Sequence, residues 1–96
     1  MGKPLGYYVS GHTLIDELEN EYGSTFEKLQ RIEKLILLQG LVNSMVNVEK
    51  KMIGYSPAAS AEYSMQPVVE RINKELPSHY LLEISDAVVN QLKYQR

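Results

Sequence analysis

Between Ser24 and Gly54 the chain carries helix-forming residues whose apolar face changes sides part-way along, and few folds can use such a segment. At roughly 100° per residue, Phe26, Leu29, Ile32, Leu35 and Ile36 point one way, whereas Leu41, Val42, Met45, Val46, Val48, Met52 and Ile53 centre roughly 160° away. Gly40 lies between the halves, and glycine is the weakest helix former after proline. Two readings follow. A kink near Gly40 gives two shorter helices on one core. A straight helix over 25–53 serves two cores, its own and a partner's. The aliphatic run Leu35-Ile36-Leu37-Leu38 at the crossover calls for burial all round in either case.

The start of this segment reads as a capping box. In Ser24-Thr25-Phe26-Glu27 the Ser hydroxyl takes the N–H of Glu27, and the Glu side chain returns to the N–H of Ser24. Ahead of it, Leu14, Ile15, Leu18 and Tyr22 fall on one helical face from Thr13 onward, and Gly23 ends that helix. Residues 1–11 hold Gly2, Pro4, Gly6 and Gly11 around Leu5, Tyr7, Tyr8 and Val9, which suits a short extended arm.

Beyond Ile53, residues 54–60 form the clearest loop, with Ser56-Pro57 as a suitable first-turn pair. Ser64 as N-cap puts Pro67 in the first turn of a helix bearing Met65, Val68, Val69, Ile72 and Leu76 on one face. Pro77 ends that helix. Ser78 caps the last one, whose stripe is Leu81, Leu82, Ile84, Val88, Val89 and Leu92. Every firm element is a helix, so the expected fold is all-α: one domain over 1–96, a compact bundle of four or five helices.

The 96 residues hold 10 Lys+Arg against 12 Asp+Glu and no cysteine. A formal charge of -2 offers no cation excess for a nucleic-acid backbone, so nucleic acid is not an expected partner. The missing thiols remove disulfides, thiolate metal sites and Cys nucleophiles. The longest aliphatic run is far short of the roughly 20 apolar residues that span a bilayer. With no hydrophobic leader either, a cytoplasmic location is expected.

Tests for chemistry return little. No phosphate-binding glycine loop, serine-hydrolase elbow, zinc-protease helix or calcium loop occurs, so no cofactor, metal or catalytic residue is assigned. His12 and His79 begin helices, and Glu83 lies one turn from His79, a spacing that arises by chance in many helices. Asp16, Glu17, Glu19 and Glu21 read as a solvated face near a helix start.

Seven tyrosines against one Phe and no Trp is a real skew, and Tyr7, Tyr8, Tyr55 and Tyr63 fall outside the expected helical core faces. Tyrosine combines a large rigid area with a polar tip and is enriched at interfaces. With Leu37, Leu38 and Leu41 at the crossover, these residues make up the candidate interface. The expected function is a non-catalytic interaction or regulatory module that self-associates, as a dimer, or meets another protein. The alternatives are a ligand-binding bundle with Met45, Met52 and Met65 lining a pocket, and a helix-turn-helix DNA-binding regulator.

Overall fold

The computed structural model describes residues 3–9 and 11–95. Among them the fold is all-α, with no strand: α1 (Leu5–Tyr8), α2 (Thr13–Tyr22), α3 (Arg31–Ile53), α4 (Tyr55–Glu75), a 3-10 turn at Ser78–Tyr80, and α5 (Leu81–Tyr94). The chain divides into two compact units, 1–49 and 50–96.

In the first unit the expected extended arm is instead a helical turn, although residues 1, 2 and 10 lie outside the described residues. Glycine at position 6 does not prevent the turn because its exposed donors find partners. Leu5 N–H donates to the Ser24 carbonyl at 2.7 Å and Gly6 N–H to Glu19 Oε1 at 2.6 Å. Two of the N–H groups left unpaired at a helix start are thereby satisfied. Pro4 precedes the turn at φ −56°, a value its ring imposes. α2 begins where the periodicity places it, with His12 as N-cap: its Nδ1 accepts from Leu14 N–H at 3.2 Å.

The long helix starts six residues later than the capping box at Ser24 implies, and the box is displaced by one residue. Glu27 reaches back, but it accepts from the N–H and the hydroxyl of Thr25, at 2.9 and 2.6 Å. No helix follows, because Phe26 adopts φ +60° and turns the chain. Lys28 N–H then donates to the Tyr22 carbonyl at 3.0 Å, so the turn serves as the C-terminal cap of α2. A second acidic residue does start α3. Glu33 Oε1 accepts from Gln30 N–H at 2.8 Å, the returning half of a capping box, and the Gln30 carbonyl accepts the first helical bond from Lys34 N–H at 3.0 Å.

From Arg31 to Ile53 α3 is unbroken, so Gly40 does not divide it into two shorter helices. Glycine there costs about 1 kcal/mol of helix propensity, too little to end a cooperative run flanked by Leu38, Gln39 and Leu41. The Gly40 carbonyl also accepts from Ser44 Oγ at 3.1 Å.

In the second unit, Gly54 at φ +96° is the whole connection between α3 and α4. The loop expected over 54–60 is helix from Tyr55, with Pro57 in the first turn, where its missing N–H is tolerated. An ion pair from Lys50 to Glu62 bridges the end of α3 and α4, and Ala58 is buried. Ser64 is no cap. It lies inside α4 and donates to the Ser60 carbonyl at 3.0 Å, which leaves Pro67 in the helix interior. α4 ends before Pro77, as expected, and the Ser78 cap is replaced by the 3-10 turn that leads into α5.

Candidate interaction surface

The first unit contains a groove of about 360 Å³. Leu18 and Tyr22 of α2, Phe26 and Leu29 of the turn, and Glu33, Ile36 and Leu37 of α3 line it. Tyr22 and Phe26 rings lie 6.4 Å apart. The charges of Glu21, which also hydrogen-bonds the phenol, and of Glu33 push the Tyr22 pKa up. Leu37 is half-buried, so this member of the candidate interface belongs to the unit's own packing.

Another face of α3 is exposed along its length. Leu38, Leu41, Met45, Val48 and Met52 follow one another at spacings of three, four, three and four residues, which places them along one stripe. Their exposure rises from 37% at Leu38 to 75% at Met52. These are five large apolar side chains left in water on a folded helix.

The tyrosines are placed on helices, contrary to the arm and loop expected of them. Tyr7 and Tyr8 sit on α1 and meet edge-to-face at 5.3 Å, with Lys3 Nζ 4.1 Å from the Tyr7 ring centre. Tyr55 opens α4 and Tyr63 lies in its middle, exposed at 90% and 82%. The structure thus joins Tyr7 to Tyr8 and sets Leu38 and Leu41 on one stripe. Tyr55 and Tyr63 belong to the other unit. Met45, Val48 and Met52 are not among the candidate interface residues, although heptad spacing counted from Leu38 reaches all three.

Met45, Met52 and Met65 are all exposed. His79 packs on Tyr80, ring centres 4.3 Å apart, and makes no hydrogen bond to Glu83. Among the described residues no group of three His, Cys, Asp or Glu side chains could hold a metal ion, and no helix is long and apolar enough to cross a membrane. No protein-family model matches the chain, and neither a curated protein nor a solved structure is significantly similar to it.

Proposed function

We propose that the protein is a small, non-catalytic helical interaction module that self-associates and acts through a surface. One observation carries this reading: a continuous helix that leaves a row of large apolar side chains in solvent. Exposing large aliphatic side chains costs about 25 cal/mol per Å², so a chain with this surface gains by covering it. A cytoplasmic setting, with a protein and not a nucleic acid as partner, belongs to the same reading.

Native mass spectrometry over a range of concentrations tests it. A dimer or larger assembly without added mass is the expected result, and a monomer at every concentration contradicts it. A monomer retaining added mass would instead favour a second reading, ligand binding in the groove between α2 and α3, whose volume falls within the range of small-molecule sites. A DNA-binding helix-turn-helix has less support. The α2–α3 connection runs over residues 23–30, longer than the three or four residues that motif uses, and α2 bears Asp16, Glu17, Glu19 and Glu21 with no Lys or Arg.

A further inference from the structure

We infer that the groove between α2 and α3 takes a small organic cation, an ammonium group on a short apolar body, with the ammonium at Glu33 and the body lying on Tyr22, Phe26 and Leu29. The inference deepens the ligand-binding reading of this groove and does not depend on self-association.

The floor of the groove is apolar and built from three separate stretches of chain. Leu18 and Tyr22 come from α2, Phe26 and Leu29 from the turn, and Leu37 from α3, and all five are half-buried. The backbone sets their arrangement. Phe26 at φ +60° reverses the chain, and the bond from Lys28 N–H to the Tyr22 carbonyl at 3.0 Å ties the turn to the end of α2. The Tyr22 and Phe26 rings consequently stand 6.4 Å apart with their planes at 53°. At about 360 Å³ the groove lies at the lower end of small-molecule sites. Its α3 wall runs from Glu33 to Leu37, about 6 Å at 1.5 Å per residue, which suits a short body and not a long chain.

The charge around this floor selects the head group. Glu33 is the one charged residue in the lining, and it is exposed at the rim. Its Oε1 accepts from Gln30 N–H at 2.8 Å, so the cap of α3 also fixes the carboxylate in place. Glu21 adds a second carboxylate beside the Tyr22 phenol, and Glu21 and then Glu33 raise the pKa of that phenol. The cations nearby in sequence, Lys28, Arg31 and Lys34, do not line the groove. Arg31 falls on the opposite side of α3 from Glu33, Ile36 and Leu37, and Lys34 more than a quarter-turn away from them. Carboxylates and the faces of aromatic rings both attract a cation, and the same carboxylates repel a carboxylate or phosphate head.

Three probes that share one apolar body and differ in the head test the assignment: 4-phenylbutylamine, 4-phenylbutanol and 4-phenylbutyrate, titrated at neutral pH into the full chain and followed by NMR. The amine is expected to saturate with Kd below about 1 mM and to shift the signals of Tyr22, Phe26, Leu29 and Ile36. It should bind at least ~5-fold tighter than the alcohol or the acid, a preference that shrinks as salt is added. Glu33→Gln should reduce that preference by at least half while leaving the alcohol's Kd in place, because glutamine also serves in a capping box and circular dichroism should show the helices intact. Equal binding of the three probes, or a preference that Glu33→Gln leaves unchanged, overturns the cation assignment and leaves ligand binding in the groove standing. Failure of all three to saturate, or shifts confined to residues outside the groove, overturns both.

Discussion

Glu27 lays its carboxylate in the space that a side chain at Gly23 would need. A methyl group at Gly23 would stand 2.4 Å from the Glu27 carboxyl carbon, and Gly23 itself is buried at φ +96°. Both features require glycine there. Gly23→Ala should cost about 2 kcal/mol or more, from backbone strain together with displacement of the Glu27 side chain. Chemical denaturation measures it. Adding Glu27→Ala to Gly23→Ala should recover part of the loss, and strict additivity of the two changes would argue against the contact.

The same carboxylate should titrate abnormally. The Thr25 hydroxyl, then the backbone N–H groups of Thr25, Glu27 and Ser24, hold its pKa down to about 2 from an ordinary 4.5. A folded-state pKa below the unfolded one means the folded chain binds fewer protons, so the stabilisation is complete above pH 4.5 and lost as pH falls towards 2. Carboxyl carbon NMR should place the Glu27 midpoint near 2, and Thr25→Val should move it up. A midpoint at 4.5 in the unaltered chain would show that the turn does not hold the carboxylate.

This turn also marks where the sequence stops being legible. Ser24-Thr25-Phe26-Glu27 has the letters of a capping box, and Glu27 does reach back, yet the helix begins at Arg31 because Glu33 and Gln30 form the competing cap. The helical periodicity of α2, α3 and α5 was readable because burying one face sets it. The positions of starts and breaks were not, because a local signal of about 1 kcal/mol yields to neighbouring contacts. α1 shows this best: its glycines and proline suggest extension, and two hydrogen bonds from residues more than ten positions away make a helical turn.

That dependence is testable at Glu19. Its Oε1 accepts from Gly6 N–H, so Glu19→Ala should leave the donor unpaired and release α1 at a cost of about 1 kcal/mol. Amide hydrogen exchange is expected to speed up at Gly6 and stay unchanged in α4. Unaltered protection of Gly6 would show that the Ser24 carbonyl alone suffices to hold the turn.

Gly40 and Pro67 are the two helix-weakening residues that the long helices tolerate. No atom lies within 4 Å of where a Gly40 side chain would begin, so Gly40→Ala should stabilise the protein by about 1 kcal/mol. Pro67 has no N–H for the Tyr63 carbonyl, so Pro67→Ala should restore that bond and stabilise by about 1–3 kcal/mol. Thermal unfolding checks both. Destabilisation by Gly40→Ala would mean that α3 bends at Gly40 in solution.

The most direct test of the account is sedimentation equilibrium of the unaltered chain beside Leu41→Asp, with far-ultraviolet circular dichroism on both. The account predicts a dimer for the unaltered chain and, for Leu41→Asp, association weakened in favour of monomer by at least ~100-fold in Kd, about 3 kcal/mol, with helicity retained. A monomeric unaltered chain, or loss of helicity in Leu41→Asp at concentrations where the unaltered chain is monomeric and folded, would contradict it and place Leu41 in the chain's own core.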